Sequence, residues 1–240
     1  MVEALTYRLT HRGKPAGRLL VRTGERGRIA VVEARMHLQG ALGAATITQT
    51  SRSHAHRHHS LRWNEATEGR GDGRPFDVRF DADAGLVRAT IGRQDTATAP
   101  YVVAYRDPLS LVRELRALTA ELAAGAAVPT APWRVPRLGK DVGGARVVDL
   151  TVDGPGGPRA AIGFVLHPGG SVVAIDRAPP HAPFRLVQRL PEGVLEALLV
   201  ETGEESSMPG LQDEAPARDP GKGSGGRKRP RRRRRSRGRG

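Results

Sequence analysis

The stretch that decides the fold runs from Asp107 to Gly125 and reads DPLSLVRELRALTAELAAG. Asp107 can accept hydrogen bonds from the free amides of a first helical turn, and Pro108 loses no hydrogen bond at the first helical position. Gly125 suits the left-handed residue that follows a helix. The stretch therefore predicts a helix over about 108–124, with both of its ends encoded in the sequence.

Apolar residues recur along this helix at three- and four-residue spacing, while charged residues occupy its other faces. The stripe consists of Leu111 or Val112, Leu115, Leu118 and Leu122. Burial of one aliphatic side chain contributes about 2 kcal/mol, so the stripe favours packing by roughly 8 kcal/mol before entropy is subtracted. We expect the rest of the body to fold onto this helix.

The remainder of the first 200 residues alternates short apolar runs with Gly- and Pro-containing turns, which is typical of antiparallel strands. The predicted strands are 5–10, 18–22, 28–36, 43–49, 60–63, 76–80, 86–91, 145–152, 160–167, 171–176, 184–190 and 194–200, and the first turn is placed at 13–17. Their spacing predicts a mainly β fold: a curved antiparallel sheet or incomplete β-barrel, with the helix packed on or in it. Trp133 is predicted to be an apolar anchor.

Charge and composition divide the 240-residue chain into three parts. Residues 1–200 are predicted to form a single β-rich domain, 201–220 an acidic Pro/Gly-rich linker with six acids and one arginine, and 221–240 a disordered polyarginine tail. The chain has no cysteine, which excludes a disulfide framework and thiolate metal sites.

Residues 1–7 lead directly into an alternating strand, without the basic and apolar regions of a signal peptide. The sequence contains no run of 18 apolar residues, so no transmembrane segment is predicted. A cytoplasmic location is the resulting expectation.

Several scattered motifs resemble a bacterial family catalogued as domain of unknown function 3108. They are Tyr7 with Gly13 and Gly17; Phe76-Asp77; Asp107-Pro108-Leu109-Ser110 with Leu115-Arg116; and Pro183 with Gly193-Val194-Leu195-Glu196. The resemblance spans roughly residues 4–200. It implies an incomplete, curved β-barrel similar to lipoprotein-carrier folds, with no established activity.

The clearest functional signal is the last 20 residues, which carry eleven cations and no acid. These are Lys222, Arg227, Lys228, Arg229, Arg231, Arg232, Arg233, Arg234, Arg235, Arg237 and Arg239. No aromatic residue is available for base stacking, so the pattern favours contact with the phosphates of RNA, including ribosomal RNA, or of DNA. An anionic membrane surface is the alternative partner. A tail that only adds solubility is the alternative without a partner.

A histidine-rich stretch follows the fourth predicted strand. On a strand, His54, His56 and His58 would share one face, with neighbouring side chains about 7 Å apart, a geometry suited to Zn or Cu. The surrounding serines and Arg57 favour a polar exposed strand or loop instead. We therefore predict no metal site, with these three histidines as the only candidates.

No catalytic motif is evident, and Ser110 fits a capping role better than that of a nucleophile. We predict a non-enzymatic binding or scaffold protein without a cofactor. The alternative is a carrier that holds an apolar small molecule or lipid inside the barrel. Its cavity would be lined by Leu9, Leu20, Val31, Val78, Phe80, Ile162 and Phe164, which would equally serve a packed core.

Overall fold

The fold was analysed in a computed structural model, which describes residues 1–69, 73–92, 95–102, 104–127, 133–135 and 140–208. Fourteen described strands form one antiparallel sheet. They are β1 Val2–His11, β2 Lys14–Arg26, β3 Ile29–Leu38, β4 Ala45–His54, β5 Ser60–Glu68, β6 Phe76–Asp81, β7 Leu86–Ile91, β8 Asp95–Pro100, β9 Trp133–Val135, β10 Lys140–Gly154, β11 Gly157–His167, β12 Ser171–Asp176, β13 Pro183–Leu190 and β14 Gly193–Glu205. A short 3₁₀ helix, Gly40–Leu42, precedes β4. The predicted mainly β fold is confirmed.

The sheet is a meander whose two halves meet at the first and last strands. Strands β1 to β8 pair with one another in chain order, and so do strands β9 to β14. In addition, β1 pairs with β14. Among the described residues β8 and β9 do not pair, so the sheet is open there rather than closed into a barrel. The connection between these two open edges contains the helix.

The helix α1 runs from Pro108 to Ala123, one residue short of the predicted end. Asp107 caps its first turn, and Gly125 follows in a left-handed conformation with φ +94°. Leu111, Leu115 and Leu118 are buried, as the stripe predicts. They pack with Trp133, Val135, Val142, Ile162, Phe164, Val173 and Ile175, which places the helix against the inner face of β9–β12 and confirms Trp133 as an apolar anchor.

The first hairpin differs from its prediction. Arg12 and Gly13, with φ 51° and 76°, form the turn, as in a type I′ hairpin, so the predicted turn at 13–17 is wrong. Pro15 and Gly17 instead lie in β2, where the pairing with β1 shifts register. A Cβ on Gly17 would lie 1.9 Å from the carbonyl oxygen of His37. The residues that read as a turn therefore mark a bulge and a close approach of β3.

Two edge strands and several strand ends were not predicted. Strands β8 and β9 are short, and their sequences lack a strong apolar alternation. Strand β4 continues to His54 and β5 to Glu68, because polar residues there pair with neighbouring strands. Strand β14 continues past the boundary predicted at residue 200 and ends at Glu205.

Met208, beyond the last strand, is 1% exposed and packs with Val2 and Val31. The described part of the acidic segment is therefore attached to the body of the protein. No helix within the described residues is both long enough and apolar enough to span a bilayer.

Candidate functional site

The first turn of α1 is held in a buried polar cluster. The Asp107 carboxylate accepts hydrogen bonds from the hydroxyl groups of Ser51 and Ser60, at 2.7 and 2.6 Å, through Oδ2. Its Oδ1 accepts from the backbone amides of Leu109 and Ser110, both at 2.9 Å. These four donors satisfy both carboxylate oxygens, whose burial without partners would be costly.

Two serines complete this cluster. Ser60 Oγ also accepts from the backbone amide of Asp107 at 2.7 Å and lies 2.9 Å from Ser110 Oγ. Ser110 Oγ donates to the Asp107 carbonyl oxygen at 3.1 Å. The serine hydroxyls are thus occupied in fixing α1 to β4 and β5. This arrangement agrees with the capping role expected for Ser110 and has the chemistry of a structural joint.

Two arginines of α1 bind carboxylates on the facing strands. Arg116 makes a bidentate ion pair with Glu3 of β1, at 2.5 and 2.8 Å, and donates to the His181 carbonyl oxygen at 3.0 Å. Arg113 binds Glu25 of β2 at 2.5 Å and Ser53 of β4 at 3.2 Å. Burial lowers the pKa of Arg113, while the Glu25 carboxylate opposes that effect. These pairs connect the helix to the half of the sheet opposite its apolar stripe.

A cleft of about 1060 Å³ opens beside these ion pairs. Its walls include Glu3, Arg116, Arg159, Asp176 and Phe184. Arg159 binds the buried Asp176 at 2.8 Å, as Arg116 binds Glu3. A charged ligand would have to displace these internal carboxylates, so the charges in the cleft contribute mainly to the fold.

The seven side chains predicted for an apolar cavity do not come together. Six of them are buried but lie in four separate clusters: Leu9 in the first, Ile162 and Phe164 in the second, Val78 and Phe80 in the third, and Val31 in the fourth. Leu20 lies in β2 and is only partly buried. The structure therefore assigns the six buried side chains to packing.

The histidine-rich stretch does not form the continuous strand on which the predicted metal-binding geometry depends. Strand β4 ends at His54, residues 55–57 form a turn, and His58 is left-handed with φ 56°. The three candidate histidines therefore do not alternate along one strand face. Within the described ranges no group of three or more histidine, aspartate or glutamate side chains is placed to hold a metal.

His58 is nonetheless in an unusual environment. Its Nδ1 atom is buried and has no hydrogen-bond partner among the described residues. Burial lowers the pKa of His58, and the positive charge of Arg113 lowers it further. Burial and the charge of Arg106 lower the pKa of His59 in the same direction. Both environments therefore favour the neutral ring over the protonated one.

The cations predicted to bind nucleic acid, from Lys222 to Arg239, lie outside the described residues. Conversely, sequence reasoning missed Ser51, Ser60, Glu3 and Glu25, which bind the helix. The sequence indicates this role only weakly: all four are polar side chains on strand faces that otherwise point to the core.

Comparison with known proteins supports the fold and nothing more specific. The chain is similar to the crystal structure of a β-barrel-like protein of domain of unknown function DUF1849 from Brucella abortus. The superposition covers 84% of this chain and 96% of the Brucella chain, with a TM-score of 0.54 and 10% sequence identity. The chain is a β-barrel-like domain. At this identity the likeness concerns fold alone. No family model matches the sequence, and no curated protein matches it either.

Proposed function

We propose that this protein is a non-enzymatic binding or scaffold protein that attaches to nucleic acid, RNA or DNA, through a basic arm. The basic arm is residues 221–240. The observation that carries the proposal is the segregation of charge: eleven cations, no acid and no aromatic residue in 20 positions. Such a segment attracts phosphates without reading base sequence, and its affinity falls steeply with salt.

The basic arm follows a folded domain in the chain, which supports the proposal. Strand β14 is paired on both sides, with β1 and β13, and Met208 is buried beyond it. Whatever the basic arm binds is therefore connected to the whole sheet. Because nucleic acid is the commonest polyanion inside a cell, the proposal places the protein in the cytoplasm.

A narrower family assignment is part of the same proposal. We propose that the chain is related to domain of unknown function 3108, which it resembles in a motif that begins at Asp107 and includes Leu115-Arg116. Each of these residues has a defined role in this chain: Asp107 caps α1, Leu115 is completely buried, and Arg116 binds Glu3. These structural roles are the observation that supports the assignment.

The test is fluorescence anisotropy with a labelled 30-nucleotide RNA of mixed sequence, titrated with the full chain from 50 to 300 mM KCl. Replacing all eleven arm cations with glutamine should weaken binding at 50 mM KCl by about 100-fold or more. It should also flatten the salt dependence, which follows a slope of about −0.7 for each phosphate contacted on a single strand. The matched control is a full chain in which residues 221–240 are shuffled.

The shuffled chain should bind as tightly as the parent, because composition rather than order carries the contact. Equal affinity of the parent and the glutamine variant would refute the proposal. Binding of the parent to vesicles rich in phosphatidylserine, without binding to RNA, would instead assign the arm to an anionic membrane surface.

A further inference from the structure

Four arginines stand in a row across the sheet. Arg52 of β4 pairs in register with Arg62 of β5, Arg62 with Arg79 of β6, and Arg79 with Arg88 of β7. Neighbouring strands lie about 4.8 Å apart, so the row extends over roughly 14 Å. We call these four residues the arginine row.

The arginine row lies on the outer face of the sheet. Side chains alternate between the two faces of a strand, and the neighbours Trp63, Val78 and Val87 are buried in the core. The outer position agrees with the exposure of three of the four side chains, whereas Arg52 is half-buried. The side chains of Arg62 and Arg79 are 44% and 65% exposed, and Arg88 is exposed as well.

This arrangement is unfavourable for the isolated protein. Like charges directly opposite on neighbouring strands destabilise a sheet. The Asp77 carboxylate relieves part of the repulsion, since it binds both Arg62, at 2.7 Å, and Arg79, at 3.4 Å. One carboxylate is thus shared between two guanidinium groups, whereas Arg113 and Arg116 on the inner face each bind a carboxylate of their own.

Several side chains around the arginine row suit a sugar-phosphate backbone, and the carboxylates of Asp77 and Asp81 lie among them on the same face. Thr50, Asn64, Thr90 and Thr98 lie on the same outer face, because each is two residues from a member of the row or, for Thr98, opposite Arg88. Hydroxyl, amide and guanidinium groups are the usual donors to phosphate and sugar oxygens. The aromatic rings of this region, Trp63, Phe76 and Phe80, belong to the inner cluster instead. The surface therefore offers phosphate contacts rather than base stacking.

The described chain ends on this same face. Met208 packs on Val2 and Val31, and Val31 pairs in register with Arg52, the first arginine of the row. Glu33, two residues after Val31, binds Arg22 on the same side of the sheet. The described chain therefore ends one strand away from the row.

We propose that the arginine row is a second nucleic-acid contact, which binds the sugar-phosphate backbone on the outer face of β4–β7. The choice of partner rests on the proposed function, but the site itself does not depend on the basic arm. Four guanidinium groups in line fit successive phosphates of one strand better than a single small anion. Release of counterions from the nucleic acid, as the exposed Arg62, Arg79 and Arg88 meet its phosphates, provides the binding free energy.

The experiment uses the full chain in two backgrounds: with the native arm, and with the eleven arm cations replaced by glutamine. In each, Arg62, Arg79 and Arg88 are changed to glutamine, and the affinity for the labelled 30-nucleotide RNA is measured across salt. With the glutamine arm, the triple variant should bind at least 10-fold more weakly at 50 mM KCl than its own parent. The slope of log affinity against log salt should become less steep by about 2, as expected for three lost phosphate contacts.

A matched variant controls for net charge. Changing Arg177, Arg185 and Arg189 to glutamine removes the same three charges from β13 and the segment after β12. This control should leave RNA affinity within about 2-fold of its parent. Thermal melts of every variant show whether the sheet remains folded. A folded row variant with the affinity and slope of the control would overturn the proposal.

Different experimental results would refute the two proposals. If the glutamine arm leaves RNA binding unchanged and the row variant abolishes it, the arm proposal is wrong and the row is the principal site. If the row variant binds RNA as tightly as its parent, or more tightly, the inference is overturned.

Discussion

The inner and outer faces of the sheet use arginine in opposite ways. On the inner face, Arg113 and Arg116 of α1 each bind a carboxylate of a facing strand, and both are largely buried. On the outer face, four arginines of β4–β7 stand opposite one another, and Asp77 is shared by two of them. The paired inner charges connect the helix to the sheet, whereas the outer guanidinium groups of Arg62, Arg79 and Arg88 lie at the exposed surface. The comparison predicts that inner substitutions affect stability and outer substitutions affect binding.

The largest effect should come from the apolar side of α1. Changing Leu115, which is completely buried, to aspartate places a carboxylate in the cluster around Phe164 and Ile175. The lost packing and the buried charge together cost about 4 kcal/mol or more, comparable to the whole stability of many domains. We expect loss of the cooperative thermal transition in circular dichroism. Ala120→Asp, at an exposed position of the same helix, should remain folded.

The second effect concerns the buried cap. Asp107→Ala leaves the hydroxyls of Ser51 and Ser60 and two helix amides without their acceptor. The expected loss is about 3 kcal/mol, measured by urea unfolding. Asp81→Ala is the control, since Asp81 accepts a single hydrogen bond from the Ala84 amide in an exposed turn. Its cost should stay below about 1 kcal/mol, and equal costs for the two variants would contradict the role assigned to the cluster.

The third prediction tests the two faces directly. Arg116→Gln breaks the bidentate pair with Glu3 and should lower the free energy of unfolding by about 1–2 kcal/mol. Arg88→Gln should change it by less than about 0.5 kcal/mol, because relief of repulsion offsets the lost packing of the side chain. Both values come from the same urea titration. A larger loss for Arg88→Gln than for Arg116→Gln would reverse the comparison.

The smallest effect is a pH dependence at His58. The folded protein holds the pKa of His58 below its ordinary value, through burial and Arg113, while Glu114 and Glu25 oppose the shift and Arg106 adds to it. Below about pH 6.5 the unfolded chain therefore binds more protons than the folded one, and stability decreases as the pH falls. Asn tolerates the left-handed backbone, so His58→Asn should reduce the fall in Tm between pH 7.5 and 5.5. His59 retains part of the dependence, and an unchanged fall would exclude His58 as a contributor.

Local signals in the sequence predicted the elements that local chemistry determines. Asp107, Pro108 and Gly125 mark the ends of α1, and the apolar stripe identifies its buried face. The hairpins were largely predictable from alternation, although Pro15 and Gly17 were misread because a bulge and a turn use the same residues.

Properties that depend on strand register were not predictable. The partners of Asp107, Ser51 and Ser60, lie 56 and 47 residues away, and the pairing of Arg116 with Glu3 spans 113 residues. The arginine row likewise appears only when four strands are aligned, since each of its members looks like an ordinary surface residue of its own strand. Such contacts require the topology to be known first.

The pairing of β1 with β14 has a consequence for synthesis on the ribosome. Strand β1 emerges first and gains β2 almost immediately, but its other partner follows roughly 190 residues later. At translation rates of about 5–20 residues per second, one edge of β1 stays unpaired for roughly 10–40 s. During that interval residues 2–11 are an open template for strand addition, and a chaperone that captures extended segments has its longest access to them.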